Sequence, residues 1–348
     1  MTDNSPRKIN IKEYSLEEVK QVLQKWQEPL YHARQIFSWV YKKGARDFAA
    51  LSDLPQPLRD KLEGHFTFFD LRVAERLESK DGTVKLLLAA ADGNSMEAVS
   101  IPTAKRTAGC VSTQAGCKFA CGFCASGLRG FKRDLTTGEI LDQVFLLKDN
   151  SPGRVLTHLV FMGTGEPFDN YDNVMKAIRM INAPEGINIG ARRITISTCG
   201  IIPGIQRLAG EGLQIELSVS LHAADDQVRS RIMPVNRKYP LPALLEACRA
   251  YAKNTGRQVT FEYILIRGLN SDLRCARKLC TIVKGMNAKI NLIPANAVGE
   301  CGFEAPSREE IWSFRDFLAQ HGVHVTLRRE RGTDIQAACG QLRIKYER

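Results

Sequence analysis

The chain has 348 residues, 44% of them hydrophobic and 25% charged, a composition that excludes a largely disordered or fibrous protein. Lysine and arginine total 49 against 38 acidic residues, and the formal net charge of +11 favours an anionic partner such as nucleic acid. No apolar run is long enough to span a membrane, and residues 1–13 lack the apolar core of a signal peptide, so we expect a cytoplasmic protein.

The first 70 residues predict a small helical module. Ser15 and Glu18 have the spacing of a capping box, and apolar residues recur at helical spacing after them. A second helix is predicted to end at Gly44, and a third to span residues 52–64. We predict an N-terminal accessory domain over residues 1–70, whose basic edge either contacts RNA phosphates or faces solvent.

The rest of the chain reads first as strands and then as alternating strands and helices. Alternating and β-branched residues with Asp-Gly turns predict a linking β-hairpin region over residues 71–100. Over residues 101–348 about six strand–helix units follow one another, which predicts a parallel sheet with right-handed crossovers. The predicted fold is therefore α/β, a partial (β/α)6 barrel preceded by a helical domain.

A glycine-rich loop at residues 116–127 carries three cysteines, Cys117, Cys121 and Cys124. Three thiolates are one ligand short of a closed zinc site or of a fully protein-ligated 4Fe-4S cluster. On a 4Fe-4S cluster they would leave one iron open to a cosubstrate. This C-x3-C-x2-C spacing resembles that of the radical S-adenosylmethionine (SAM) enzymes. The alternative is half of a zinc ribbon, although no second CxxC or HxxxH pair occurs in the chain.

In parallel α/β folds, functional groups gather in the loops after the strands. Glu166 follows one predicted strand and offers an acceptor for an ammonium group, and small hydroxyl, imidazole and amide groups that suit ribose, carboxylate and adenine follow others. His222 by itself would be interpreted as a structural histidine. Together, the predicted SAM-binding residues are Gly165, Glu166, Ser197, Ser220, Leu221, His222 and Asn296.

Four further segments carry a more specific resemblance. Residues 106–112, 162–167, 220–222 and above all 331–342 are similar to the RlmN/Cfr family of radical SAM RNA methyltransferases, and residues 31–39 resemble its N-terminal domain. The resemblance covers nearly the whole chain.

The resemblance implies a role for three further residues. Cys339 would take a methyl group from one SAM, and a second SAM, cleaved at the cluster, would activate that methyl group for addition to the base. Glu97 corresponds to the family's proton acceptor, and Cys110 to the thiol that releases the RNA through a transient disulfide with Cys339. The remaining cysteines are predicted to be inert thiols: Cys199, Cys248, Cys275, Cys280 and Cys301.

The implied activity is formation of 2-methyladenosine in 23S ribosomal RNA near the peptidyl transferase centre, and in transfer RNA beside the anticodon. Pro167 is typical of the RlmN side of the family, whereas the Cfr side methylates C8 of adenosine. A flavodoxin or ferredoxin would supply electrons, and we expect a monomer. Two alternatives are a non-catalytic zinc-stabilised RNA-binding protein, which leaves Cys339 unexplained, and a radical SAM enzyme for a small molecule, which leaves the basic charge unexplained.

Overall fold

The computed structural model describes residues 8–127, 130–151, 153–295, 302–328 and 331–337. The chain begins with three helices, α1 (Leu16–Lys25), α2 (His32–Phe37) and α3 (Gln56–His65). A wider π-type stretch, Ser38–Lys43, prolongs α2 as far as Gly44, whose φ of +72° ends it. The capping box predicted at the start of α1 is present. Within the described ranges, no helix is long and apolar enough to cross a membrane.

The N-terminal helices are fastened to helix α4 (Thr137–Asp149). Two short strands, β1 (Ile9–Asn10) and β2 (Phe66–Thr67), pair in parallel and bring both ends of the module together. Beside them the fully buried Lys12 ammonium lies 3.0 Å from the Asp142 carboxylate on α4. A buried ion pair of this kind holds two elements in one register.

The predicted linking region forms strands of the main sheet. Strands β3 (Leu71–Glu78), β4 (Val84–Ala90), β5 (Ser95–Pro102) and β6 (Thr107–Cys110) make an antiparallel meander. Strand β6 then pairs in parallel with the next strand of the barrel, so the meander and the barrel share one ten-stranded sheet.

Two strands that the sequence did not predict flank the cysteine loop. Strands β7 (Gln114–Gly116) and β8 (Phe131–Asp134) pair antiparallel in a small sheet of their own. This pairing holds the two ends of the loop together, so the cysteines lie in the connection of a β-hairpin.

After α4, parallel strands alternate with helices. The strands are β9 (Leu156–Phe161), β10 (Ile194–Thr198), β11 (Glu216–Ser220), β12 (Val259–Leu265), β13 (Ala288–Pro294) and β14 (Val325–Leu327). The helices are α5 (Tyr171–Asn182), α6 (Ile202–Ala209), α7 (Asp226–Ile232), α8 (Leu241–Thr255), α9 (Leu273–Val283) and α10 (Arg308–Gln320).

In the ten-stranded sheet, β6 is followed by β9, and β9 to β14 then lie side by side in chain order. All of these neighbouring strands are parallel. All seven residues of β12 are buried, as expected for a central strand with both faces covered. The predicted α/β partial barrel is confirmed, and the carboxyl ends of its strands meet at one mouth.

Candidate active site

The cysteine loop is held in place by backbone contacts at its two ends and its middle. Gly116 ends β7 with a φ of +77°, and a Cβ at this position would lie 1.9 Å from the carbonyl oxygen of Gly130. Only glycine fits so close an approach. In the middle of the loop, the amide of Gly122 donates to the carbonyl of Ile232 at the end of α7, at 2.9 Å. The loop is therefore fixed against the barrel.

The three thiols of this loop line one cavity. Burial raises the pKa of Cys117 to about 12 and raises that of Cys121 well above its ordinary value. No disulfide joins any two cysteines in the described part of the chain. The thiolate is the form that binds a metal. Binding of a metal by these cysteines is therefore coupled to the release of their protons.

The loop fits an iron–sulfur cluster better than a single metal ion. No three His, Cys, Asp or Glu side chains in the described ranges are placed to hold one ion. Cysteines on a 4Fe-4S cluster each bind a different iron, so they must face a common cavity and not a common point. Cys117, Cys121 and Cys124 do so, and Phe119 and Phe123 line the same cavity and shield it from water.

The loop after β9 brings the predicted Glu166 and Gly165 to this cavity. The buried Glu166 carboxylate accepts hydrogen bonds from the backbone N–H groups of Phe168 (3.0 Å) and Cys199 (2.7 Å). Burial raises the pKa of Glu166, and these bonds act in the opposite direction. At Gly165, where φ is +104°, a Cβ would lie 2.6 Å from the Gln114 side chain. The carboxylate thus ties the loop after β9 to the loop after β10.

The ends of β10 and β11 supply two of the predicted hydroxyl groups. Ser197 and Ser220 both line the cavity that the cysteines face. The side chain of Leu221 instead belongs to the hydrophobic core. Its N–H donates to the carbonyl of Glu262 at 3.0 Å, and its carbonyl accepts from Arg229 at 3.1 Å. The role predicted for Leu221 in SAM binding therefore stays a prediction.

His222 lines the cavity in an unusual backbone conformation, with a φ of +58°. Its Nδ1 accepts a hydrogen bond from the N–H of Ile264 at 3.0 Å, which leaves Nε2 as the protonated nitrogen. Its ring meets the edge of Phe123 from the cysteine loop, with 4.6 Å between centroids. Burial lowers the pKa of His222 to about 3. The ring is neutral at physiological pH and offers one N–H donor.

The sequence analysis missed Arg229, a fully buried arginine on α7. Its guanidinium donates to the carbonyls of Cys199 (2.7 Å), Ser220 (3.0 Å) and Leu221 (3.1 Å), and to the Asn236 side chain (2.6 Å). One side chain therefore holds the loops after β10 and β11 in fixed positions. An arginine in an amphipathic helix gives no sequence signal for this role.

The sequence analysis also missed Glu262, which lines the cavity from the middle of β12. Its carboxylate accepts from the Ser218 hydroxyl at 2.9 Å and from the Asn291 amide at 2.7 Å. A signal for it did exist, because it is the one acidic residue in the otherwise uncharged run Val259–Leu265. An acid in a buried strand needs polar partners and is a candidate ligand.

The cysteines that were predicted to be inert differ in their burial and in their distance from the cavity. Cys248 is fully buried in the core, and Cys275 and Cys280 are half-buried on α9. Cys199 is buried as expected but also lines the cavity, and burial raises its pKa well above the ordinary value. Cys301 lies outside the described residues.

Glu97 and Cys110 lie on neighbouring strands, where Val99, two residues after Glu97, pairs with Cys110. Both side chains are buried. The Ser112 hydroxyl donates to the Glu97 carbonyl at 2.7 Å and accepts from the Thr164 amide at 2.9 Å. This hydroxyl links β5 to the loop that carries Glu166.

Two predicted residues, Cys339 and Asn296, lie outside the described residues. The described segment 331–337 ends two residues before Cys339. Ala337 is buried in a small apolar cluster with Cys110. Met162, packed against that cluster, also lines the cavity of the three cysteines. The end of this segment therefore lies close to the cavity that the three cysteines line.

A partial barrel with a three-cysteine loop at its mouth defines the class of radical SAM enzymes. The family model described as "Radical SAM superfamily" matches residues 111–274, and the model described as "Ribosomal RNA large subunit methyltransferase N-terminal domain" matches residues 9–67.

Similar proteins cover nearly the full chain. A probable dual-specificity RNA methyltransferase RlmN of Thermoanaerobacter sp. (strain X514) is 46% identical over 97% of this chain and 98% of that protein. Its counterpart in Geobacillus kaustophilus (strain HTA426) is 45% identical over 99% and 94%. The crystal structure of a radical SAM methyltransferase from Sphaerobacter thermophilus superposes with a TM-score of 0.93 at 43% identity, covering 96% of this chain and 99% of that one. The chain belongs to the RlmN family of radical SAM RNA methyltransferases.

Membership settles the reaction class and the cofactors. The protein is a SAM-dependent RNA methyltransferase of the radical type, which uses a 4Fe-4S cluster and two SAM molecules per cycle. A non-catalytic zinc protein and an enzyme for a small molecule are both inconsistent with this family. RNA as the substrate agrees with the net charge of +11.

Proposed function

We propose that the protein methylates C2 of adenosine in 23S ribosomal RNA near the peptidyl transferase centre, and in transfer RNA beside the anticodon, through a methylated Cys339. The observation that carries the proposal is the packing of Ala337, two residues before Cys339, against Cys110. Two thiols that form a disulfide during the reaction must lie close to each other. The description "dual-specificity" of the relatives supports two classes of RNA.

A protein thiol is needed because the two reacting carbons are poorly matched. The adenine C2 and the methyl group of SAM both lack electrons, so direct polar transfer between them is disfavoured. The bound cluster and SAM supply the methyl group and the radical that activates it. In this proposal, Cys117, Cys121 and Cys124 hold the cluster, and Gly165, Glu166, Ser197, Ser220, Leu221, His222 and Asn296 hold SAM.

The remaining steps belong to side chains of this chain. Cys339 carries the methyl group as a thioether and becomes joined through it to the base. Glu97 takes the proton that leaves adenine C2, and the unpaired electron of the adduct would return to the bound cluster. The thiolate of Cys110 attacks the sulfur of Cys339, a sulfur–sulfur bond forms as the sulfur–carbon bond breaks, and a proton completes the methyl group on the RNA. The disulfide is then reduced by an external thiol.

Partners and location complete the proposal. We propose that the N-terminal accessory domain binds RNA, which the family match over residues 9–67 supports. A flavodoxin or ferredoxin supplies the electron. The enzyme acts as a monomer in the cytoplasm, where its RNA substrates are.

The test is nucleoside mass spectrometry of ribosomal and transfer RNA from a host that lacks its own enzyme, with and without this gene. We expect 2-methyladenosine in both RNA pools, none with Cys339→Ala, and a covalent RNA–protein adduct with Cys110→Ala. Formation of 8-methyladenosine would assign the protein to the Cfr activity. Absence of both products from cluster-loaded protein would contradict the proposed substrate.

A further inference from the structure

Lys85 on β4 is a buried lysine whose function nothing described so far explains. Its side chain is 7% exposed, and its ammonium lies 3.0 Å from a carboxylate oxygen of Glu97, which is 3% exposed. Lysine is almost never this buried unless it is paired. Taking both charges out of water costs more than a well-packed apolar pair would, so the pair calls for a reason other than stability.

Lys85 makes a second contact, with the segment that leads to Cys339. Its ammonium donates to the backbone carbonyl of Gln336 at 3.3 Å. Further contacts, among them two hydrogen bonds, join the same segment to the β3–β4 hairpin. The amide of Gly332 donates to the Asp81 side chain at 3.1 Å, and the amide of Lys80 donates to the Asp334 side chain at 3.2 Å. Lys85 thus lies between Glu97 and the backbone of residues 331–337.

The sheet register places Lys85 in line with Cys110. Lys85 pairs directly with Val99 on β5, and Val99 pairs directly with Cys110 on β6. Directly paired residues point to the same face of a sheet, and so does Glu97, two residues before Val99. Lys85, Glu97 and Cys110 therefore share one face across three adjacent strands, and Ala337 covers that face beside Cys110.

We propose that Lys85 is a positioning residue for the release step. Its ammonium keeps the Glu97 carboxylate ionised and oriented, and it holds the segment 331–337 beside Glu97. This inference rests on the proposed function. When Glu97 takes the proton from adenine C2, its carboxylate becomes a neutral acid, and Lys85 transfers no proton itself. Protonation removes the negative charge that lies 3.0 Å from the Lys85 ammonium, which favours loss of that proton and restores the base.

The test separates formation of the covalent RNA–enzyme adduct from its release. Cluster-loaded wild type, Lys85→Met and Lys85→Arg are mixed with a labelled RNA fragment in a single turnover, and the adduct is followed on a denaturing gel. We expect Lys85→Met to form the adduct and to release methylated RNA at least about tenfold more slowly than wild type. Lys85→Arg keeps the charge and restores most of that rate. Arg72→Met, at an exposed position on the neighbouring strand β3, serves as the control and behaves as wild type.

Three results would overturn the inference. Release at the wild-type rate by Lys85→Met, with unchanged iron content and circular dichroism, would mean that the pair does not serve the reaction. Equal loss of folding or of iron in Lys85→Met and Lys85→Arg would mean a purely structural pair. If wild type forms product without any adduct, and Cys110→Ala traps none, the proposed function fails first and this inference with it.

Discussion

At the scale of single residues, the two carboxylates of the cavity are held by different kinds of partner. Each of the two Glu166 carboxylate oxygens accepts from a backbone N–H, one from Phe168 and the other from Cys199, and a backbone N–H cannot become an acceptor. Glu262 accepts from the Ser218 hydroxyl and the Asn291 amide, and the hydroxyl can rotate to accept instead. The same substitution should therefore have unequal effects at the two positions.

We expect Glu166→Gln to lower the free energy of unfolding by about 1–3 kcal/mol, because the new amide NH2 must face a backbone N–H. Glu262→Gln should cost clearly less, since the amide can donate to the Ser218 hydroxyl. Urea unfolding of the two cluster-free variants beside wild type measures the difference. Equal losses would show that burial of the charge, and not the kind of partner, controls these sites.

His222 gives a prediction about pH. Its pKa of about 3 in the folded state is lower than the ordinary value of 6.5, because burial disfavours the imidazolium. Above pH 6.5 both states are neutral and the stability that this difference contributes is fully present. As the pH falls from 6.5 towards 3, the unfolded chain binds a proton that the folded chain does not, so this stability is lost.

The variant His222→Asn removes that proton-binding site but keeps a residue that tolerates a positive φ. Between pH 7 and pH 4.5 we expect wild type to lose on the order of 2 kcal/mol more stability than the variant. Urea unfolding across this range is the measurement. His321→Asn, at an exposed histidine, should follow wild type. A wild-type loss no larger than that of His222→Asn would mean that His222 is accessible to protons.

Single residues could be predicted from the sequence where a motif or a strand end marked them. Ser197, Ser220 and His222 were predicted from strand ends, and the structure brings all three to one cavity, because the carboxyl ends of parallel strands meet at one mouth; their binding of SAM stays a prediction. Lys85 was not, since a lysine in an apolar strand resembles an ordinary solvent-facing residue. Burial and pairing across strands are properties of the fold, and only the three-dimensional structure shows them.

At the scale of elements, the cysteine loop depends on the pairing of β7 with β8. Strands of three and four residues are too short for a periodic pattern, which is why the sequence analysis did not predict them. For α1, in contrast, the capping box of Ser15 and Glu18 marked the first turn, and Gly44 was predicted as the end of the second helix.

Gly116→Ala should disrupt this loop, since its Cβ would overlap the carbonyl oxygen of Gly130, the residue just before the partner strand β8. Gly130→Ala is the matched control. It also has a positive φ, of +67°, but a Cβ there meets nothing within 4 Å. We expect Gly116→Ala to take up little iron and sulfide on anaerobic reconstitution, and Gly130→Ala to lose about 1 kcal/mol of stability while loading normally. Similar iron content in the two would contradict this explanation.

At the scale of the whole molecule, ion pairs and hydrogen bonds of charged side chains join the N-terminal helices to α4 and α5 of the barrel. Besides the pair of Lys12 with Asp142, the Glu13 carboxylate accepts from the amide of Gly138 at 2.7 Å, and Lys176 on α5 pairs with Glu18 at 2.8 Å. The sequence suggested two separate units here. It gave no sign of their connection, because Lys12 and Asp142 are far apart in the chain.

Lys12→Met should lower the free energy of unfolding by about 3–5 kcal/mol, since it leaves the Asp142 carboxylate buried without a counter-charge. The double variant with Asp142→Asn should recover part of this loss. With Trp312 on α10 replaced by Phe in every protein, fluorescence of Trp26 and Trp39 reports on the N-terminal helices, and circular dichroism reports on the whole chain. We expect the two transitions to coincide in wild type and to separate in Lys12→Met.

The surface pair of Lys20 with Glu17 provides a control, because exposed ion pairs contribute at most about 1 kcal/mol. Lys20→Met should therefore unfold as wild type does. Coincident transitions in Lys12→Met would show that the two parts are held together by their apolar contacts alone.

The segment 331–337 follows β14, at one edge of the ten-stranded sheet, and docks on the hairpin beside β3, at the other edge. The Lys85 and Gln336 that meet there are 251 positions apart in the chain. Contacts between such distant positions form late in folding, after the barrel between them. A ribosome has therefore made nearly the whole polypeptide before the last part of the reaction centre can close. On the proposed function, a copy that has not yet closed this contact does not hold the residue that carries the methyl group in place, and it cannot methylate RNA.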